Sequence, residues 1–506
     1  MTAAALSKFY PDKTLTVVED PDTPTVGVGE STYDGFIYFC KILEIDECDF
    51  FKFTDASLKL GLKFIGFNGS SDDVFTYMFG KPDTSGTRWG VEDWQIRKQL
   101  YPHIPLTDYT ESFFPQAFLA KHNRYSDNLD GSLGAFNPDL DRALHFDAIK
   151  FAKWLRHSYC EPRGVRYLSA TVDSCDFDDQ GNITTLATSA GEVTADLFID
   201  CTGFKSLLLG QFLDEPFKSY NDVLPNNRAW ATQVPYIDKD KELTAYTTCT
   251  ALGNGWCWDI PLWSRLGAGY VYSDEYVSPD DALKEFKEYL VNGLAVPRSE
   301  ELVESLQFHD IPMRVGIHNR VWVNNVVAIG LSAGFIEPLE SNGLFTVHEF
   351  LYQLIKSLAN GPVSNTDVSI FNNYVRTTYD HFIEFIKLHY CFSKRHDTDY
   401  WVANLRRDYR VDSDKTNIRR VVDAWSLDIP IHSNEAANWI SGGFGYRALN
   451  SVSILQGQIR HGLDYADYLN DVFLLLDNKK ELWNEAALSS PSLSTYIQER
   501  YHSERG

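Results

Sequence analysis

The chain is short of positive charge: 46 Lys and Arg stand against 70 Asp and Glu, for a net charge of −24. Phosphate backbones are gripped by clustered cations, so no nucleic-acid partner is expected. There is no apolar run near the ~18 residues that a membrane span needs, so no membrane partner is expected either. The opening MTAAALSKFYPDK has neither a basic lead nor a long apolar stretch, and it does not read as a secretory signal. Eight scattered cysteines form no C-x-x-C pair. That indicates neither a zinc site nor a disulfide scaffold, leaves no metal expected, and makes a reducing cytoplasm the default setting. Short-period repeats and low-complexity tracts are missing too. What is present is 506 residues, 44% hydrophobic and 14% aromatic. That is material for roughly three domains of about 150 residues each, with a ring-rich core.

The first strand is expected over Thr14–Glu19, TLTVVE, behind a helix over Ala3–Phe9. In a dinucleotide-binding unit the second strand ends in an acid that accepts from a ribose hydroxyl, which would be Glu19. A buried strand that happens to end in Glu explains the same residues. Such a unit should open with a further strand and a G-x-G-x-x-G turn, whereas this chain begins inside the helix. A start site set too late is the favoured account of the missing strand and phosphate loop, ahead of a truncation or a fold without the loop.

Leu58–Phe64, LKLGLKF, alternates, with the leucines and Phe64 on one face and Lys59, Gly61 and Lys63 on the other. A strand with a wet face is the plain interpretation. Gly61 between two lysines points instead to a cleft wall with space left open. His145–Val165 has helical spacing and stops at Pro-Arg-Gly. DDQGN (178–182) is a hairpin turn, and DLFIDCTGF (196–204) is a buried strand reaching Asp200. In the turn after it, Gly203 could approach a cofactor closely. Residues 228–273 look β-rich, 280–293 helical, and Trp322–Ile329 a buried strand leading into GFIEPLESNGL (334–344). A helical run, FTVHEFLYQLIKSL, follows. Glu337 and Glu340 therefore sit in a strand-to-helix turn, where Asn342 and Gly343 offer backbone amides; ordinary capping by Ser341 or Asn342 is the alternative. From about Thr366 the pattern is mostly helical.

Several of these runs coincide with one family. GVGEST (27–32), SLKLGLKF (57–64), RALHFDAIKFAKWLR (142–156), DLFIDCTGF, GWCWDIPL (255–262), GYVYS (269–273), GFIEPLESNGL and HYCFSKRHDTDYW (389–401) stand in the order they have in flavin-dependent halogenases of the tryptophan-halogenase type. The W-x-W-x-I-P signature at Trp256–Pro261 is the most specific of them. The resemblance implies an α/β fold with a Rossmann-like FAD-binding module of the flavin-monooxygenase type, discontinuous over 1–70, 140–210 and 300–360. A sheet-and-helix substrate module would take 71–139, 211–299 and 361–506.

The resemblance also implies the chemistry. Reduced FAD (FADH2), O2 and a halide ion (chloride, bromide or iodide) yield hypohalous acid, which travels to a second pocket and halogenates an electron-rich aromatic ring. Lys59 matches the catalytic lysine that aims the oxidant, and Glu340 the essential glutamate that stabilises a cationic ring intermediate. Asn342 and Gly343 would bind halide through backbone amides, with Asn342 standing where the family usually has Thr. Ser341 is a relay candidate. Glu19, Gly29, Glu30, Ser31, Asp200 and Gly203 are the cofactor-binding candidates, and Trp256 and Trp258 the barrier between flavin and substrate. Tyr77 and Phe79 fall where W-H-P-F-G is common but T-Y-M-F-G stands here, which puts free tryptophan in doubt and leaves an indole, a phenol or a pyrrole. Trp439, Phe444 and Tyr446 are further pocket candidates. A separate flavin reductase is implied as partner; homo-oligomer formation stays open. An aromatic flavin monooxygenase and a catalytically silent binding protein are the alternatives.

Overall fold

The computed structural model describes residues 1–22, 27, 29–69, 74–87, 90–127, 131–359, 361–391, 393–406 and 465–503. Trp439, Phe444 and Tyr446 lie outside them. The chain divides into two compact units: residues 1–56, 146–229 and 310–383, and residues 57–145, 230–309 and 384–506.

The first unit is α/β. Its Thr2–Phe9 helix buries Ala4, Ala5 and Leu6. The Thr16–Glu19 strand runs parallel to Arg166–Ser169, and Phe198–Asp200 runs parallel to Val326–Ala328. Trp322–Ile329 is a hairpin, not the single strand its apolar run suggested. Trp322–Val323 turns back on Val326–Ala328 through Asn324, which adopts φ 52°. Asn tolerates that left-handed backbone because its short amide can bond locally. The helix expected from His145 begins only at Ala148. Asp147 fixes that start, because its carboxylate accepts the Lys150 N–H at 2.9 Å. Phe36, Phe50, Phe146 and Phe151 then pack with ring centroids 5.0–5.9 Å apart, forming an aromatic core beneath it.

The second unit is organised by five neighbouring strands of a seven-stranded sheet: Arg265–Tyr272, Gly255–Pro261, Tyr246–Ala251, Gly61–Ile65 and Val74–Met78. Tyr246–Ala251 and Gly61–Ile65 pair in parallel, and the pairs to either side are antiparallel. Directly paired residues share a face, so the register assigns every side chain. Cys257, Ala268, Tyr270 and Tyr272 pack on Phe286, Tyr289 and Leu290 of the Pro279–Asn292 helix. That helix starts at a Ser278 cap with Pro279 in its first turn. The opposite face carries Trp256, Trp258, Cys249, Phe64, Leu62 and Tyr77.

The expected single strand at Leu58–Phe64 is two strands. Ser57–Lys59 joins a separate antiparallel ladder, with Ser57 opposite His145 and Lys59 opposite Ala143. Gly61–Ile65 enters the large sheet. Gly61 leaves no cleft either: an added Cβ would lie 2.1 Å from the Tyr77 carbonyl oxygen, so the small residue serves a close strand approach. Gly269 has the matching role on the next strands, where its missing side chain makes room for the Trp258 indole, at 2.0 Å from an added Cβ. Gly269→Ala must displace that ring. The expected outcome is a loss of about 1–3 kcal/mol in stability, read as a lower Tm together with a changed tryptophan emission. An unchanged Tm would show that the ring can shift freely.

Candidate active site

In the first unit Glu19 ends its strand with a half-exposed carboxylate, which the Arg156 guanidinium engages. Gly29, at φ 145°, leads into Glu30 and Ser31. The Ser31 hydroxyl lies 3.0 Å from that of Ser341, so two candidates 310 positions apart meet in a buried contact.

The GFIEPLESNGL turn is anchored from both ends. Glu337 is fully buried and accepts from the Asn226 amide at 2.6 Å, while its carbonyl takes the Asn342 side chain at 3.4 Å. Ser341 sits at φ 58°, a costly backbone region for a residue with a Cβ. It is held there by its N–H on the Pro338 carbonyl at 2.9 Å and by the Ser31 contact. The Gly343–Leu358 helix follows, and its N-cap residue Asn342 makes no side-chain capping bond. Capping by Asn342 therefore does not describe this turn. The first-turn amides carry the positive end of a 16-residue helix dipole. Glu340 is buried at 3% exposure one residue before Ser341.

Asp200 and Gly203 separate in role. The Asp200 carboxylate accepts from the Thr202 N–H and hydroxyl and from the Leu208 and Leu209 N–H groups, all at 2.7–3.0 Å. Four bonds consume its acceptor capacity, so it organises the turn. Gly203 is at φ 69° with open space where a Cβ would stand.

In the second unit Lys59 is fully buried, with its ammonium 5.1 Å from the centroid of the Phe79 ring. A ring face attracts a cation. Tyr77 and Phe79 are both buried, with their rings edge to face at 6.4 Å. Trp256 and Trp258 lie tilted with centroids 6.1 Å apart, on the same sheet face as Tyr77. Three residues outside the candidate set, His145, Thr247 and Ser57, complete this region. His145 Nε2 is 2.8 Å from the Thr247 hydroxyl, and its Nδ1 is 3.3 Å from the Ser57 hydroxyl, which donates to the Pro261 carbonyl. Burial, then the Lys59 ammonium, hold this imidazole well below its usual range. The signal was available in the sequence: a His inside an otherwise apolar strand must find partners.

Lys63 does not share this region with Lys59. Its register partners Thr248 and, one strand on, Asp259 place it on the Pro279–Asn292 helix side. Burial lowers Lys63, and Asp259 partly opposes the shift. Asp259 in turn accepts from the Tyr289 hydroxyl at 2.6 Å. Burial pushes its carboxyl up to about 7 despite Tyr289, Arg298 and Lys63. Among the described residues no group of three His, Cys, Asp or Glu could hold a metal ion, and no helix is long and apolar enough to cross a membrane.

The sequence profile of the tryptophan halogenase family matches residues 1–438. The chain belongs to that family. The tryptophan 7-halogenase RebH of Lentzea aerocolonigenes is 35% identical over 408 residues, covering 77% of this chain and 73% of RebH. The apo structure of VirX1 superposes with a TM-score of 0.91 at 32% identity, over 99% of this chain and 97% of VirX1. Tar14, a tryptophan C-6 flavin-dependent halogenase (chlorinase) from taromycin biosynthesis, gives 0.84 at 30% identity over 98% and 96%. The protein is thus a flavin-dependent halogenase, an oxidoreductase with a mixed α/β fold that acts on an aromatic substrate.

A pH effect follows from Asp259 in this halogenase. Between its ordinary value of 3.8 and its folded value of about 7, the folded chain keeps a proton that the unfolded chain has lost. The contribution to stability is full below about pH 4 and is lost as pH rises through about 7. Asp259→Asn removes the titration. Its Tm relative to wild type should be more favourable at pH 8 than at pH 5. Equal differences at the two pH values would rule Asp259 out as the source.

Proposed function

We propose that this halogenase uses reduced FAD, O2 and a halide ion to make hypohalous acid and delivers it to an electron-rich ring of the indole type. The relatives RebH and Tar14 are named for tryptophan, which supports an indole; Tyr77 at the family's histidine position argues for an indole other than free tryptophan. Bound FADH2 with O2 supplies the oxidising equivalents. Glu19 would hold the ribose, and Gly29, Glu30, Ser31 and the open face of Gly203 the flavin nucleotide. The uncapped amides at Asn342 and Gly343 suit a halide, which gains from N–H groups and a helix dipole without a competing counter-ion.

The observation that carries the assignment of Lys59 is its full burial against the ring face of Phe79, while Lys63 is turned to the helix side of the large sheet. A buried ammonium can bond hypohalous acid and aim its halogen at one ring carbon. The Glu340 carboxylate would stabilise the positive charge on the attacked ring and take its proton. Ser341, whose hydroxyl lies 3.0 Å from that of Ser31, would relay between the cofactor segment and Glu340. Trp256 and Trp258 would bar the organic substrate from the flavin, so that only a small oxidant crosses. A separate flavin reductase supplies FADH2.

The test incubates the full chain with FAD, a flavin reductase, NADH and chloride, bromide or iodide over a panel of indoles, phenols and pyrroles, with mass spectrometry of the products. A halogenated indole is expected. Lys59→Ala and Glu340→Ala should each lower product at least about 100-fold and leave flavin binding intact. An active Lys59→Ala enzyme, or hydroxylated products alone, would overturn the proposal.

A further inference from the structure

The buried hydrogen bonds around His145 indicate where its ring proton sits. The Ser57 hydroxyl has a single proton, and it goes to the Pro261 carbonyl, which can only accept. Ser57 Oγ must then accept from His145, so Nδ1 carries the ring proton. In the uncharged ring, which burial and the Lys59 ammonium favour, Nε2 is an acceptor and takes the Thr247 hydroxyl proton. The chain of bonds runs Thr247 to His145 to Ser57 to Pro261. All of these side chains are at most 4% exposed, so no solvent competes for them.

This chain joins elements that share no ladder. Ser57 and His145 face each other on the ladder that carries Lys59, two residues from Ser57 on the same strand face. Thr247 and Pro261 belong to neighbouring strands of the large sheet. Thr247 is paired with Leu62, which is paired with Tyr77, so its side chain is on the tryptophan face. The imidazole is therefore the polar bolt between the lysine ladder and the sheet face carrying Trp256 and Trp258.

We propose that His145 is a positioning residue for Lys59, held as the uncharged Nδ1–H tautomer so that it fixes the lysine strand against that face without adding a second positive charge beside the ammonium. The idea rests on Lys59 serving as the oxidant-aiming group. Loss of the bolt should leave oxidant formation intact and spoil its delivery. A protonated imidazole would put a second cation beside Lys59 in a buried site.

The test uses the full chain with FAD, a flavin reductase, NADH, bromide and indole as the probe. It measures brominated product per NADH consumed, KM for indole, and oxidant escaping to a monochlorodimedone trap. His145→Ala should lower product per NADH about tenfold or more, with trapped oxidant rising and KM changed less than about twofold. His145→Gln, a neutral side chain with one donor and one acceptor, should recover part of the loss. Thr247→Val, nearly isosteric, should show the same pattern more weakly, and it carries the test if His145→Ala does not fold. Wild-type coupling in folded His145→Ala, or in Thr247→Val where the alanine variant fails to fold, overturns the inference. Lys59→Ala run in parallel separates the two ideas. If it abolishes product while the His145 and Thr247 variants couple normally, only the positioning role falls. If it stays active, the assignment of Lys59 falls, and this inference falls with it.

Discussion

The second unit is built around the approach of the Tyr77 carbonyl to Gly61. That oxygen occupies the place where a side chain at position 61 would begin, so the Gly61–Ile65 and Val74–Met78 strands can pair only through glycine. The pairing sets Tyr77 against Leu62, and the Phe79 N–H then bonds the Leu60 carbonyl at 3.0 Å. Phe79 is thereby brought beside Lys59. The same crossing at Leu60 passes the chain from one ladder to another. Lys59 stays with the ladder of His145, while Lys63 is turned toward Asp259 and the helix behind the sheet. Two lysines four residues apart end in different surroundings because one backbone oxygen fixes the register between them.

The acidic turn of the first unit is ordered by a comparable economy. Ser341 takes a left-handed backbone that would suit glycine better. The turn tolerates that cost because Glu337 is tied to Asn226 and to the Asn342 side chain, and Ser341 to Ser31. Asn342 turns its side-chain amide inward, toward the Glu337 carbonyl, and makes no capping bond. The first turn of a 16-residue helix is left without a side-chain cap, directly after a buried carboxylate at Glu340. A turn of this kind separates a negative side chain from positive backbone within three residues, which ordinary capping would have neutralised.

Much of this was legible from residue order and some was not. The β-rich span after residue 228, the Pro279–Asn292 helix with its Ser-Pro start, and the acid-bearing turn before the Gly343–Leu358 helix could all be read directly, because caps, turn residues and apolar spacing act locally. The errors came where partners are distant. Alternation over Leu58–Phe64 could not reveal that the strand changes ladders at Leu60, since that depends on Ala245 and Phe79 bonding Leu60 from either side. An apolar run at Trp322–Ile329 concealed a hairpin because Asn324-Asn325 is short and flanked by buried residues. Asp200 looked like a ligand, yet its carboxylate is filled by amides eight and nine residues later. His145 looked like the start of a helix until Asp147 proved to be the cap.

Charge placement inside the second unit follows from these connections. A buried or half-buried ammonium needs compensation, and the two lysines find it in different forms. Lys63 faces Asp259, whose carboxylate partly offsets the burial that disfavours the ammonium. Lys59 lies against a ring face and an imidazole that is kept neutral by its neighbours. A ring quadrupole stabilises a cation without carrying a counter-charge. The two lysines thus meet burial with different surroundings: a ring face and an imidazole beside Lys59, a carboxylate beside Lys63.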